Sequence, residues 1–204
     1  MICLVLWALP ARAEAPLKIV AFGDSLTAGF GLPEDHAFPA KLQAVLRGKG
    51  YDITLINAGA SGDTASGGLA RLDWSVPEDT DAVILELGAN DALRGIDPKV
   101  TKDALDQILT RLEARHIPVL LAGMKSPVNM GPDYEREFDA IFPALAAKHD
   151  VIFYPFFLEG VGIGTTLSQS DHIHPNVAGV GVIVNNIMPS VEDLIARVRR
   201  ARKL

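Results

Sequence analysis

The chain has 204 residues, 49% hydrophobic and 22% charged, which supplies one compact domain with a sizeable core and excludes a disordered chain. Its 18 glycines and 13 prolines are an ordinary share, so collagen-like and low-complexity chains are excluded too. A formal charge of -6 argues against a nucleic-acid groove or a polybasic membrane surface, and the single cysteine, Cys3, can form neither an internal disulfide nor a cysteine cluster around zinc.

In chain order, the first element is an address. Residues 2–9 form an apolar run closed by Pro10, and Ala11-Arg12-Ala13 has the small-x-small form of a cleavage site. Residues 1–13 are therefore expected to be a secretory signal, whose missing basic start places the true start codon upstream. Residues 14–204 are expected to be a single soluble, cysteine-free domain, periplasmic or secreted. Eight apolar residues are too few to span a bilayer, and no later segment is long and apolar enough, so stable membrane insertion is not expected.

Five short apolar runs rich in β-branched residues follow, at 17–22, 53–57, 82–87, 117–122 and 151–154, and each reads as a buried strand. Helical patterns fill the gaps. The clearest spans 101–115, where Ala104, Leu105, Ile108, Leu109 and Leu112 share a face and Asp97-Pro98 supplies the cap. Others are expected over 37–47, 64–74, 133–148 and from 177 to about 199, with a basic tail at 197–203 that suits a helix C-terminus. Strands alternating with helices predict right-handed crossovers and a parallel sheet covered on both faces, a doubly wound α/β domain. In such a sheet, chemistry lies in the loops after the strands' carboxyl ends.

Four such loops carry unusual residues. After the first strand, Gly23-Asp24-Ser25-Leu26 puts a serine at a helix start, where unpaired N–H groups favour developing negative charge; Asp and Ser are also ordinary caps. After the second, Ala58-Gly59-Ala60-Ser61-Gly62-Asp63-Thr64 can bring the Gly62 N–H to an oxyanion, or be a plain turn capped by Asp63. After the third, Gly88-Ala89-Asn90-Asp91 offers the Asn90 amide, a donor that does not titrate. The last loop, Ser170-Asp171-His172-Ile173-His174-Pro175-Asn176, sets a carboxylate three residues before an imidazole. Within one turn Asp171 can reach the Nδ1–H of His174 and leave Nε2 free as a base, while Pro175 and Asn176 stiffen the elbow. His172 competes but lacks that spacing. Together the four loops hold the parts for acyl transfer.

These residues resemble the SGNH (GDSL) hydrolases, especially the bacterial thioesterase, lysophospholipase and arylesterase branch. The similarity runs through Gly23-Asp-Ser-Leu26, Ser61-Gly-Asp-Thr64 with Gly68-Leu-Ala-Arg-Leu72, Leu87-Gly-Ala-Asn-Asp91, Pro155-Phe-Phe157 and Asp171 to Asn176. It implies a three-layer α/β/α fold with a flavodoxin-like sheet of five parallel strands. It implies Ser25 as nucleophile, His174 as base, Asp171 as its orienting acid, and an oxyanion hole of the Ser25 and Gly62 N–H groups with Asn90. No metal or cofactor is implied; the expected partner is a small acyl ester or thioester, and a monomer is expected. The segment 124–134 differs in part from the thioesterase pattern and is expected to border the acyl pocket. Two other readings compete: a metallophosphoesterase with Asp24, Asn90, Asp91, His172 and His174 as ligands, and a non-catalytic module binding a small ligand.

Overall fold

The computed structural model describes residues 15–162 and 164–202. The expected leader, 1–13, and residues 203–204, where the basic tail ends, lie outside the described residues. Five parallel strands, β1 (Leu17–Gly23), β2 (Ile53–Gly59), β3 (Ala82–Glu86), β4 (Val119–Ala122) and β5 (Ile152–Tyr154), form one sheet in the order β2-β1-β3-β4-β5. This is the doubly wound α/β arrangement that the alternation of strands and helices predicts, in the flavodoxin-like order that the family resemblance implies.

The helices are α1 (Ser25–Ala28), α2 (Phe38–Gly48), α3 (Ala65–Ser75), α4 (Ala89–Leu93), α5 (Pro98–Ala114), α6 (Pro132–Asp139), α7 (Ile141–Lys148) and α8 (Val177–Arg202). α2 packs with α8, while α3, α5 and α7 pack side by side, which gives the sheet its two helical layers. β1 and β3 are buried at nearly every position, as strands covered on both faces must be. Phe22, Ile84 and Leu85 of the sheet and Phe38, Leu42 and Leu105 of the helices are among the core side chains that hold the layers together.

One predicted element divides. The helix expected over 133–148 is two helices meeting at Ala140, because Pro143 has no N–H for the Asp139 carbonyl and its ring clashes with that carbonyl. The cap expected from Asp97 is present, with Oδ1 accepting from the Lys99 N–H at 2.9 Å. Asn176 likewise caps α8 by accepting from the Ala178 and Gly179 N–H groups, both at 3.0 Å.

The direction of winding reverses between β1 and β3, since the chain leaves β1 for β2 and returns to β3 on the other side. The carboxyl ends of these two central strands therefore border a crevice, and the Gly23–Leu26 and Gly88–Asp91 loops open into it.

Candidate active site

Ser25 owes its position to close packing at the end of the sheet. Gly23 pairs with Gly59 of β2 and with Glu86 of β3. A Cβ on Gly23 would collide with the Thr27 hydroxyl and the Glu86 backbone, and one on Gly59 would collide with the Ala28 backbone, so α1 rests directly on the strand ends. Asp24 caps that helix, its Oδ1 accepting from the Leu26 N–H at 2.9 Å. Ser25 is 8% exposed, and its Oγ lies 2.9 Å from Nε2 of His174.

The imidazole comes from the opposite side of the crevice. Nδ1 of His174 is 2.6 Å from Oδ2 of Asp171, while Oδ1 of the same carboxylate accepts from the Ile173 and His174 N–H groups at 2.9 and 3.0 Å. The His174 contact and these two N–H groups pull the Asp171 carboxyl down to about 2, so it is ionised and can only accept. The ring proton therefore sits on Nδ1, and Nε2 is left to accept from the Ser25 hydroxyl. Gln169 secures the loop: its N–H donates to the His174 carbonyl at 2.7 Å, and its amide donates to the carbonyls of Phe30 and Pro175 at 2.7 and 3.0 Å. The Phe30 ring lies against the imidazole with centroids 4.6 Å apart.

Asn90 reaches the same crevice from α4. Its Nδ2 donates to Oδ2 of Asp24 at 3.0 Å and to the Asp63 carbonyl at 2.9 Å. Gly62 occupies the turn after β2 with φ +84°, a left-handed conformation open to glycine, and its carbonyl accepts from Arg94 at 2.8 Å. The cap of α3 is Thr64 and not Asp63: Thr64 accepts from the Gly67 N–H at 3.1 Å, while the Asp63 carboxylate pairs with Arg71 at 2.5 Å.

Beneath the serine lie two carboxyl groups fully shielded from solvent. Oε2 of Glu86 accepts from the Thr27 hydroxyl at 2.7 Å and the Asp24 N–H at 3.3 Å, and Oε1 has no protein partner. Burial raises the Asp24 carboxyl to about 6, against the opposing effect of its Leu26 and Asn90 bonds. Burial, and then the charge of Asp24, push Glu86 well above the usual carboxylate range.

The structure does not bring the five proposed metal ligands together. Both oxygens of Asp91 are occupied by the Ala65 N–H at 2.9 Å and the Thr101 hydroxyl at 3.0 Å, and His172 stands exposed on a left-handed turn with φ +61°. Among the described residues no group of three or more His, Cys, Asp or Glu is placed to hold a metal ion. What Ser25, Asn90 and His174 do share is an apolar pocket of about 750 Å³, walled by Leu26, Met124, Pro127, Phe156, Leu158, Val161 and Ile173. Of the segment expected to border a pocket, 124–134, residues 124–127 line this one.

Reasoning on the sequence missed Glu86, Phe30 and the Asp63–Arg71 pair. Glu86 had left a sign: it is the one charged residue in the five-residue buried strand Ala-Val-Ile-Leu-Glu.

The model of the GDSL-like Lipase/Acylhydrolase family matches residues 21–182. The chain is 39% identical over 194 residues to Esterase TesA of Pseudomonas aeruginosa, covering 95% of this chain and 96% of that one. It is 40% identical over 169 residues to Thioesterase 1/protease 1/lysophospholipase L1 of Escherichia coli K12, covering 82% and 80%. Among solved structures, TesA superposes with a TM-score of 0.82 at 38% identity, covering 87% of this chain and 99% of that one. The chain belongs to the GDSL-like lipase/acylhydrolase family, the SGNH hydrolases, and is an enzyme of ester or thioester hydrolysis.

Proposed function

We propose that the protein hydrolyses esters or thioesters of apolar acyl groups, with Ser25 as nucleophile, His174 as general base and acid, and Asp171 as the residue that orients and charges the imidazole. The observation that carries this reading is the unbroken relay from Asp171 through His174 to Ser25, opening onto an apolar pocket.

The Ser25 oxygen attacks the acyl carbon as its proton passes to Nε2 of His174. The negative charge gathers on the former carbonyl oxygen, which the Ser25 and Gly62 N–H groups and the Asn90 amide hold. At rest both hydrogens of that amide are engaged, one by the Asp24 carboxyl and one by the neutral Asp63 carbonyl. The carbonyl is the weaker acceptor, so its hydrogen passes to the oxyanion. The tetrahedral adduct then expels an alcohol or thiol that takes the proton from His174. Water, deprotonated by the same imidazole, attacks the acyl-enzyme and frees the acid. The acyl chain lies in the pocket walled by Met124, Pro127 and Phe156.

Residues 1–13 are the export signal in this proposal, and 14–204 the working domain, periplasmic or secreted. An exported enzyme meets esters and lysolipids and not cytosolic acyl-CoA, so oxygen esters are its physiological substrates. Among the described residues no helix is long and apolar enough to cross a membrane.

A fluorophosphonate probe should label Ser25, as read by peptide mass spectrometry. Hydrolysis of p-nitrophenyl esters from two to sixteen carbons should stop in Ser25→Ala. An active protein that the probe leaves unlabelled would overturn the reading.

A further inference from the structure

Arg71 has no part in the chemistry described above, yet its surroundings are unusual for a residue with one charge partner. It stands on α3, is 8% exposed, and its guanidinium lies 4.3 Å over the Phe22 ring. Nε donates to the Asp63 carboxylate at 2.5 Å, Nη1 to the Ala58 carbonyl at 2.9 Å and the Ser75 hydroxyl at 3.1 Å, and Nη2 to the Gly23 carbonyl at 2.8 Å. Enclosing a cation is costly, and an apolar side chain of similar size fills such a space at least as well for stability. What an apolar side chain cannot do is fix the end of one strand to two points of a neighbouring turn, for which a planar fork of five N–H groups is suited.

The two segments, the end of β1 and the turn after β2, carry the proposed Ser25 and Gly62 donors, and the second also meets the Asn90 amide. The Gly23 carbonyl lies just before Asp24 and Ser25. The Ala58 carbonyl opens the turn that runs to Gly62. Asp63 follows Gly62 directly, and its carbonyl is the resting acceptor of the Asn90 amide.

We propose that Arg71 is a positioning residue that sets the oxyanion hole, holding through Asp63 the Gly62 N–H and the Asn90 amide, and through Gly23 the strand end beneath Ser25. The inference rests on the serine-hydrolase reading above. It assigns to Arg71 an effect on the transition state and not on the binding of substrate.

The test compares wild type, Arg71→Met, Arg71→Lys and Asp63→Asn on p-nitrophenyl butyrate, with concentrations set by the folded fraction at the assay temperature. In parallel, inhibition is measured for a trifluoromethyl ketone, which forms a tetrahedral adduct with a serine, and for the plain ketone of equal length. Displacing oxyanion donors by a fraction of an ångström to an ångström lowers kcat by about 100-fold. Arg71→Met is expected to show that loss with KM within threefold of wild type. Its affinity for the trifluoromethyl ketone should fall in step while the plain ketone binds unchanged. Arg71→Lys, which keeps the charge and loses the fork, should fall between. Asp63→Asn, which removes a single charge, should reproduce the pattern even if Arg71→Met does not fold.

An Arg71→Met enzyme with wild-type kcat overturns the proposal, as does one that loses kcat but keeps wild-type affinity for the fluorinated ketone. If Asp63→Asn is the only variant that folds, its unchanged kcat does the same. Fluorophosphonate labelling of wild-type Ser25 separates the two levels. Labelled Ser25 with indifferent Arg71 and Asp63 variants removes this inference alone, and unlabelled Ser25 removes both.

Discussion

Asp24 and Asp171 both stand beside a residue of the proposed relay, and their surroundings drive them in opposite directions. Asp24 is enclosed at the end of β1, and burial raises its carboxyl to about 6; Asp171 sits on the loop before α8, half in solvent, and its hydrogen bonds hold it at about 2. The difference separates two ways of building a site. The half that holds Ser25 is made by the sheet, which excludes water and tolerates carboxyls whose ionisation burial opposes. The half that holds His174 is made by a loop that keeps one carboxylate ionised by pointing an imidazole and two backbone N–H groups at it.

The comparison is sharpened most by removing the reacting groups. Ser25→Ala and His174→Ala are each expected to lower kcat by on the order of 10⁶-fold, and equal losses in single and double variants would mark them as one unit. Asp171→Asn should cost about 10⁴-fold, because an amide can force the wrong tautomer on the ring; activity within tenfold of wild type would break the division of labour between the halves. On the sheet side, Asn90→Ala should lower kcat about 10²- to 10³-fold with little change in KM, measured by steady-state hydrolysis.

Stability against pH should then show the two carboxyls with opposite slopes. The folded-state value of Asp171 is lowered, so its contribution is present above about pH 4 and is lost as pH falls towards about 2. Those of Asp24 and Glu86 are raised, so the folded state is favoured while both are protonated; the advantage is lost as pH rises, for Asp24 through about 6 and for Glu86 above the usual carboxylate range. Denaturant midpoints at pH 3, 5 and 7 should show Asp171→Asn flattening the acid side and Glu86→Gln flattening the side above pH 5. A Glu86→Gln profile parallel to wild type would show that burial does not control that group. The smallest effect expected is from Phe30→Ala. Loss of its contact with the His174 ring should cost about 1 kcal/mol, or roughly fivefold in kcat/KM.

The loop-built half was the more legible in the sequence. Asp171 and His174 are three residues apart, and a local spacing within one turn needs no knowledge of the fold. The succession of strands along the chain and the placing of Ser25 and Asn90 at strand ends also followed, because buried β-branched runs mark the strands and glycines mark where they stop, while their order across the sheet came from the family resemblance alone. Arg71 was visible only as one letter of a resembling motif. Its role depends on residues 23, 58 and 63 converging on one guanidinium, and no periodicity in the chain encodes that meeting. Glu86 was absorbed into its strand, since an apolar run hides the charged residue that closes it. The break in the helix at Ala140 was missed in the reading of 133–148 as one helix, although Pro143 carries its signal, a clash with the carbonyl four residues earlier.

The tight fit of Gly23 and Gly59 beneath α1 has a practical consequence for anyone altering what the enzyme accepts. Any side chain on that floor meets backbone, so a mutant library spread across it would return mainly inactive clones. The walls at Met124–Pro127 and Phe156–Val161 belong to connections beyond β4 and β5, away from the supports of Ser25. Tailoring of acyl preference should be sought there, where a change of volume reshapes the substrate's berth and leaves the serine where it stands.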